Sequence, residues 1–394
     1  MKVSKLNKIS SLFLASLIPL LGAGSAFAAP KKKVFNVGIV LRLNDKFNDT
    51  VAAMTTGIDA AKALYEKKHP GVTINLKRYP HGDDLESVVS ASQRLIQDKI
   101  PAVIGGELSE ESFVLRDKLG EAKTVFITPT SSNPAVTEDH PFAFRACFSD
   151  RLVAGQLANF MIDNLKPVRV GVLHNVSSPY TDFLSKQFIE TYNARMEKIS
   201  PAKRSPIFEE KVLRDTKDFS EQIQRFMEQK VTHLAMLTHQ SDLLRFALQA
   251  ANKGFFPVYI GSDGWGSNEH VHKNLVQESP QGDKFKAYRN SYWKEDAKTS
   301  MALDFQATYA SQNTRKPTAW SAITFDAAWI LFTAMDRASN PKDGDAIRNQ
   351  MTAIKKLALV TAEHFSFGPD NSPRKDLYIY RLDKNGINYE ATLR

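Results

Sequence analysis

The sequence has very little cysteine and lacks a long apolar run. Cys147 is the only cysteine among 394 residues, so no disulfide can form within the chain. The mostly apolar run of residues 9–21 is shorter than the roughly 20 residues that a membrane-spanning helix needs, and no later stretch is apolar for long enough. These two absences exclude a disulfide-stabilised scaffold and argue against a membrane-spanning chain. Cys147 could be a reactive thiol, but a small buried side chain is the expectation.

Signatures of catalysis are also missing. The chain has no nucleophile-elbow sequence Gly-x-Ser-x-Gly, no phosphate-binding glycine loop and no paired metal ligands at helical spacing. His270-Val271-His272 could bind a metal, although exposed histidines in a polar loop explain it better. We therefore predict a protein that is not an enzyme and has neither cofactor nor metal. Composition alone leaves open a hydrolytic set of Ser132, His239 and Asp263.

The net charge of +9 is not concentrated where a nucleic acid would bind. Three of the lysines lie in the first eight residues, and Lys31-Lys32-Lys33 forms the one further basic run. No basic stripe is interleaved with aromatic side chains, so the sequence predicts no nucleic-acid partner. The charge is typical of a basic surface with at most a mild attraction for anionic solutes.

The N-terminus has the three parts of a secretory signal. Lys2, Lys5 and Lys8 precede the apolar run, and Ala26-Phe27-Ala28 places small residues where a signal peptidase cleaves. We predict a signal peptide over residues 1–28, cleavage before Ala29 and a periplasmic location. No cysteine follows the apolar run, so lipid attachment is not expected.

Short apolar runs alternate with longer amphipathic stretches, and the alternation occurs twice. Predicted strands lie at residues 34–41, 72–76, 102–105 and 124–127, and then at 169–173, 207–212, 233–237 and 258–261. Predicted helices lie at 50–67, 85–97, 151–164, 182–196, 218–229, 242–252, 301–309 and 322–338. Two further strands are predicted at 365–367 and 377–382. The pattern predicts an α/β fold with two doubly wound lobes. Residues 268–298 are polar and poorly periodic, and are interpreted as a surface excursion or a crossing between lobes.

Polar residues follow the predicted strands, at the sheet edge where open parallel sheets bind ligands. The first series ends in segments rich in hydroxyls, and the second ends in segments with aromatics and an acid. The segments that follow the strands are 106–112, 128–134, 174–180, 238–241 and 262–266. If the two edges face each other, they form a polar cleft with aromatic walls.

Each of these residues also has a purely structural interpretation. Ser109 precedes a helix, where a hydroxyl commonly caps the backbone N–H groups. Thr130 to Ser132 could be ordinary turn chemistry, and so could Asp263 between two glycines. Tyr180 and Trp265 could pack at the rim of the cleft.

These loops resemble those of the type I periplasmic solute-binding proteins of ABC transporters, and most of all the leucine/isoleucine/valine-binding branch. The similar segments are 102–109, 127–134, 177–180, 261–264, Phe325-Asp326-Ala327 and 365–380. The resemblance implies two lobes joined by a hinge of three crossovers. It implies a first lobe of residues 34–148 plus 276–360 and a second of 149–275 plus 361–394.

The resemblance also implies site residues and a partner. Ser109 and Ser132, with backbone groups at Thr130, would bind a ligand carboxylate. Asp263 would pair with an ammonium group, and Tyr180 would wall the pocket. The implied protein is a monomer that captures a small polar solute by hinge closure and delivers it to an ABC permease of the inner membrane. A sensor that signals to a membrane receptor, or a secreted hydrolase, is the alternative.

The chain departs from the family pattern at three places. Thr238-His239-Gln240 stands where an aromatic is usual, and Glu110 and Glu111 replace small polar residues. Trp265 is bulky beside the acid. We include His239 and Trp265 among the predicted ligand-binding residues. The departures argue against a branched aliphatic side chain and leave open a more polar or an aromatic ligand.

Overall fold

The computed structural model describes residues 32–42, 48–199 and 206–393, in two β-sheets covered by helices. The predicted signal peptide lies outside the described residues. The first sheet has the strand order β2-β1-β3-β4-β5, and the second has the order β12-β11-β10-β9-β8-β6-β7. These two sheets confirm the predicted two-lobed α/β fold. None of the helices in the described ranges is both long and apolar enough to cross a membrane.

The first sheet is entirely parallel. Its strands are β1 (Lys33–Val40), β2 (Val72–Arg78), β3 (Ala102–Gly105), β4 (Val125–Thr128) and β5 (Ala143–Arg145). Its helices are α1 (Asn48–Lys68), α2 (Leu85–Gln97), α3 (Ser109–Glu121), α9 (Ser300–Gln312), α10 (Ala319–Arg337) and α11 (Gly344–Ala353). Every residue of α10 from Ser321 to Met335 is buried, because the helix is enclosed between α1 and the sheet. Because β3, β4 and α10 are buried on all sides, their sequences are mostly apolar.

The second sheet is mixed. Its strands are β6 (Val170–Asn175), β7 (Ile207–Val212), β8 (His233–Leu237), β9 (Val258–Gly261), β10 (Lys286–Ser291), β11 (Leu377–Asp383) and β12 (Gly386–Leu393). Its helices are α4 (Asp150–Phe160), α5 (Pro179–Glu197), α6 (Ser220–Glu228), α7 (Gln240–Asn252) and α8 (Asn268–His272). The chain leaves α4 through one π-helical turn, Met161–Leu165. Strands β11 and β12 run antiparallel to their neighbours, whereas the other pairs in the sheet are parallel.

Strand β10 differs from the predicted lobe assignment. Residues 276–360 were assigned to the first lobe, yet β10 pairs with β9 and β11 in the second sheet. The strand ends in Arg289, Asn290 and Ser291, which are polar and fully buried. Buried polar residues remove the apolar signal of a strand, so the segment resembled a surface excursion. The other predicted lobe boundaries stay predictions.

Three segments connect the two sheets, and they pack against one another. Phe148 lies on the first, after β5; Tyr292 lies on the second, after β10; and Lys375 lies on the third, before β11. The rings of Phe148 and Tyr292 stack with centroids 5.3 Å apart, and the Lys375 ammonium lies 5.3 Å from the Phe148 ring. The Lys375 ammonium also donates to the Thr361 hydroxyl at 2.7 Å. The connections therefore form a single packed hinge region.

Candidate functional site

The loops beyond the two sheets meet each other. Asn133, which follows β4, donates from Nδ2 to the carbonyl of Pro179 at the start of α5, over 2.8 Å. Farther along the junction, Arg214 donates from Nη2 to Oε1 of Glu110 over 2.8 Å. Both contacts join a residue of the first lobe to one of the second. The two polar edges thus face each other in a closed arrangement.

The loops after β3 and β4 are tied together by their own hydroxyls. The carbonyl of Gly106 accepts from the hydroxyls of Thr128 at 2.7 Å and Ser131 at 2.8 Å. The hydroxyl of Thr130 donates to the carbonyl of Glu107 over 2.9 Å. Gly106 has φ +70°, and a Cβ there would lie 2.2 Å from the Ser112 hydroxyl oxygen, so only glycine fits. The first edge is therefore a preformed frame.

Arg145 locks this frame, a role that the sequence analysis did not find. Its guanidinium is fully buried and donates to the carbonyls of Ser131 at 3.0 Å, Asn133 at 2.8 Å and Pro134 at 3.0 Å. Burial lowers the pKa of Arg145. The one available signal was a lone arginine inside the apolar run that ends at Phe148. Arg145 also donates from Nη2 to the Thr137 hydroxyl over 2.9 Å. The three carbonyl partners could not be read from the sequence because they are main-chain atoms.

The two serines assigned to a carboxylate are both buried at this edge. Ser109 is the first residue of α3 rather than its N-cap, and its hydroxyl accepts from the backbone N–H of Asn133 at 3.4 Å. Ser132 lies between the carbonyls that Arg145 holds, and its own carbonyl accepts from the backbone N–H of Asp150 at 2.8 Å. The capping interpretation of Ser109 therefore does not apply. The hydrogen bond through Asn133 connects the loops that carry the two serines.

Asp150 adds a buried acid that the sequence analysis missed. It is the first residue of α4 and is fully buried, and neither carboxyl oxygen has a hydrogen-bond partner of normal geometry within the described residues. Burial raises the pKa of Asp150 well above its usual value, and the charge of Asp263 adds to the effect, while the nearby Ser132 hydroxyl opposes it. Asp150 thus lies at the start of a second-lobe helix, against the Ser132 loop of the first edge and within electrostatic range of Asp263.

Asp263 is held in the second edge by uncharged donors. Its carboxylate accepts from the Tyr292 hydroxyl and, at 3.4 Å, from Nδ2 of Asn290. Arg289 is close, but it donates to main-chain carbonyls, including that of Asp263 at 3.5 Å. Burial raises the pKa of Asp263, and the Tyr292 hydrogen bond opposes the rise. The sequence analysis found this acid but not its partners, which come from β10 and the hinge.

Tyr180 and His239 extend the second edge. The Tyr180 hydroxyl bonds with the Ser262 hydroxyl, and its ring lies against the His239 ring with centroids 5.4 Å apart. Nε2 of His239 lies 3.3 Å from the Ser178 hydroxyl oxygen. Burial lowers the pKa of His239, Glu110 opposes the effect, and Arg214 and Arg42 add to it, so the ring is neutral near pH 7. His239 pairs with Ser178 rather than with Ser132 or Asp263, so the hydrolytic triad is not assembled.

Trp265 does not line the cleft, which corrects its assignment as a ligand-binding residue. The side chain has no exposed surface, and its indole N–H donates to the carbonyl of Met236 over 2.9 Å. It packs in an apolar cluster with Leu243 and Phe246. The ring occupies the space beside Gly261, where a Cβ would lie 2.0 Å from it. Because residue 261 is a glycine, the Trp265 ring can pack inward against its backbone. A sequence pattern does not reveal this packing.

Buried acids and buried arginines both lie at the junction, and neither Arg145 nor Arg289 donates to a carboxylate. Asp150, Asp263 and Glu107 are all at least nine-tenths buried. Arg42 is the nearest cation to Glu107, and it already forms an ion pair with Glu111. No group of three or more potential metal ligands occurs in the described part of the chain.

Two α/β lobes with loops that meet over a buried polar junction define a two-lobed binding protein. The sequence model of the periplasmic binding protein family matches residues 35–387, and the chain belongs to that family. The family is one of solute-binding proteins. Its members are periplasmic binding proteins, as the sequence resemblance implied.

Several relatives are known by sequence. The chain is 21% identical over 380 residues to the Leu/Ile/Val-binding protein homolog 3 of Brucella melitensis. The match covers 95% of this chain and 96% of the relative. It is 20% identical over 272 residues to the leucine-specific-binding protein of Salmonella typhimurium, with 69% of this chain and 70% of the relative covered.

Solved structures share the fold. The leucine binding protein LivK of Thermotoga maritima superposes with a TM-score of 0.81 at 20% identity, covering 91% of this chain and 99% of the other. An ABC transporter solute-binding protein of R. palustris, solved with benzoate, superposes with a TM-score of 0.77 at 14% identity, covering 91% and 96%. At these identities the likeness establishes the fold and leaves the solute open.

Proposed function

We propose that the chain is the periplasmic substrate-binding component of an ABC importer and closes around a small solute that bears an amino group. The observation that carries the proposal is Asp263, a buried carboxylate at the lobe junction whose side-chain partners, Tyr292 and Asn290, carry no charge. An ammonium group would donate charge-assisted hydrogen bonds to this carboxylate, which Arg289 does not do because it donates to main-chain carbonyls. The relatives with amino-acid-binding names support an amino acid or a related compound.

The remaining roles follow from the positions of the side chains. Ser109 and Ser132 are buried in the frame opposite and offer hydroxyls to a carboxylate, helped by the backbone of Thr130. Tyr180 and His239 form the wall between the two ends of the ligand. The export signal at residues 1–28, the monomeric state and the permease partner belong to the same proposal.

Closure of the cleft would be driven by contacts that the open form lacks. Moving an equilibrium from mostly open to mostly closed needs about 5.5 kcal/mol of differential binding. Charge-assisted hydrogen bonds contribute roughly 1.5–3 kcal/mol each, so two or three that span the junction suffice. Opening would break the contacts Asn133–Pro179 and Glu110–Arg214, and the three packed connections would form the hinge.

The proposal is tested by a thermal-shift screen followed by calorimetry. The panel contains α-amino acids, carboxylates without an amine such as benzoate, and polyols. We expect an amino acid to raise the melting temperature, and Asp263→Asn to weaken its binding about 10- to 100-fold, the equivalent of one charge-assisted hydrogen bond. The matched control is Asp283→Asn, which changes an exposed acid of the same lobe and should leave the affinity unchanged. Equal affinity of wild type and Asp263→Asn, or binding of benzoate but of no amino acid, would contradict the proposal.

A further inference from the structure

We propose that Glu107 forms a second acidic subsite in the cleft, which receives a cationic group at the distal end of the ligand. The ligand class is then a dibasic amino acid, of which lysine, ornithine and arginine are the simplest examples. This inference rests on the proposed function, because it assumes an α-amino acid held at Asp263. It adds the chemistry of the ligand's side chain, which neither the fold nor the family defines.

The position of Glu107 places it in the ligand-facing frame. It is the second residue after β3, and only Leu108 separates it from Ser109. Its backbone N–H donates to Oε2 of Glu111 over 3.0 Å, and its carbonyl accepts from the Thr130 hydroxyl over 2.9 Å. The backbone is therefore fixed on both sides. Glu107 thus belongs to the same pair of loops as the serines assigned to the ligand carboxylate.

The carboxyl group of Glu107 is buried and incompletely satisfied. The residue is 8% exposed, and its Oε2 has no hydrogen-bond partner among the residues that the structure describes. A buried carboxylate oxygen without a donor is strongly unfavourable. The neighbouring hydroxyls do not relieve it, because Thr130 and Ser131 donate to main-chain carbonyls instead. A ligand donor is the group that completes this site.

The surrounding charges select a cation rather than an anion. Arg42, at the end of the first strand, pairs with Glu111 and lies 3.5 Å from Asp83, so its charge is shared among carboxylates. His81 lies 3.9 Å from Glu111 on the same side. Burial and the charge of Glu111 raise the pKa of Glu107 to about 7, and Arg42 opposes the rise. The acids of this cluster exceed its arginine, so a positively charged ligand group is favoured.

Tyr180 and His239 form a wall that extends from Asp263 toward the first edge. Tyr180 bonds with Ser262, the neighbour of Asp263, and its ring contacts the His239 ring. Ser178, whose hydroxyl oxygen lies 3.3 Å from Nε2 of His239, precedes Pro179, and the carbonyl of Pro179 accepts from Asn133 of the first edge. His239 is itself neutral near pH 7 and does not repel a cation. The wall therefore runs from Asp263 toward the first edge, which carries Glu107, and suits an elongated ligand with a charge at each end.

The first test compares lysine with norleucine, which has the same chain but lacks the distal amine, by calorimetry on the wild-type protein. We expect lysine to bind about 10- to 100-fold more tightly, the equivalent of one charge-assisted hydrogen bond. Norleucine binding as tightly as lysine would overturn the subsite while leaving the proposed function intact. If no α-amino acid bound at all, the proposed function would fail, and the subsite with it.

The second test uses variants. Glu107→Leu should lose most of the preference for lysine and bind norleucine at least as tightly as the wild type does. Glu107→Gln keeps the shape and should show an intermediate loss. Glu121→Gln, at the exposed end of α3, is the matched control and should bind both ligands as the wild type does. An unchanged preference for lysine in Glu107→Leu would overturn the assignment.

The pH dependence gives a readout that does not depend on a variant folding well. The ionised carboxylate binds the cation, so lysine affinity of the wild type should fall as the pH drops from about 8 through about 7 to about 5.5. In Glu107→Gln this dependence should shrink, and norleucine should show less of it in either protein. A pH profile for lysine that is identical in the wild type and Glu107→Gln would contradict the role of Glu107.

Discussion

The two edges of the cleft use their polar side chains differently. In the first edge, the hydroxyls of Thr128 and Ser131 donate to one carbonyl, and the guanidinium of Arg145 donates to three more. In the second edge, Asp263 is buried among uncharged donors, and Oγ1 of the neighbouring Thr238 has no partner in the described structure. Apart from the Glu107 carboxyl group, the polar groups described in the first edge hold its own backbone. The second edge presents a carboxylate, that of Asp263, whose direct cationic partner would come from a ligand.

This difference means that the first edge mainly determines the stability of the protein, and the second mainly determines its affinity for the ligand. A polar group of the frame contributes to folding, so its removal should destabilise the protein. A buried carboxylate without a cation destabilises the empty protein, and its favourable interaction forms only when a ligand binds. Variants in the two edges should therefore change different measured quantities.

The largest effect is expected at Arg145. Arg145→Met fills similar space but leaves three carbonyls without their donor, and we expect a loss of about 3 kcal/mol in the free energy of unfolding. Urea unfolding followed by circular dichroism measures it. The matched control is Arg151→Met, which removes an exposed pair with Glu138 and should cost less than about 1 kcal/mol. Similar losses in the two variants would show that the frame does not depend on Arg145.

An intermediate effect of opposite sign is expected at Asp150. Its folded pKa is raised, so ionisation destabilises the empty protein as pH rises above the unfolded value near 4. A helix N-terminus stabilises a negative charge by up to about 2 kcal/mol, but burial outweighs this. Asp150→Asn should therefore raise the melting temperature at about pH 7.5, by about 1–2 kcal/mol in stability, and less at about pH 5. A lower melting temperature at both pH values would mean that the ionised carboxylate is stabilising.

The smallest effect is expected at the ion pair between Glu110 and Arg214, which crosses from one edge to the other. The Arg214 side chain is 55% exposed, so its pair is screened by solvent. Arg214→Gln should weaken ligand binding no more than about fivefold at low salt, and the difference from the wild type should vanish at high salt. Calorimetry at both salt concentrations measures this. A loss that persists at high salt would indicate that Arg214 contacts the ligand instead.

The overall fold could be predicted from the sequence because each helix and buried strand has its own period. The predicted helix over residues 85–97 matches α2 residue for residue. Strand β10 escaped because Arg289, Asn290 and Ser291 are buried by tertiary contacts that periodicity does not encode. The antiparallel pairing of β11 with β10 also depends on the return of a distant segment to the sheet.

The candidate site could be predicted in part, because the strand ends of a parallel sheet identify its loops. Ser109, Ser132 and Asp263 lie in those loops and are buried there. Asp150 and Glu107 were missed, since an acid at a helix start or beside a glycine is usually solvated. Their burial depends on how the loops pack, which the sequence does not reveal.

The single cysteine has a practical consequence for measuring movement between the lobes. The Cys147 thiol is fully buried, and burial raises its pKa to about 12, so very little reactive thiolate forms. The exposed residues Glu121 and Glu221 lie on different lobes. Glu121→Cys together with Glu221→Cys would thus accept a dye pair in the otherwise native chain, and energy transfer between the dyes would report domain motion without a cysteine-free background.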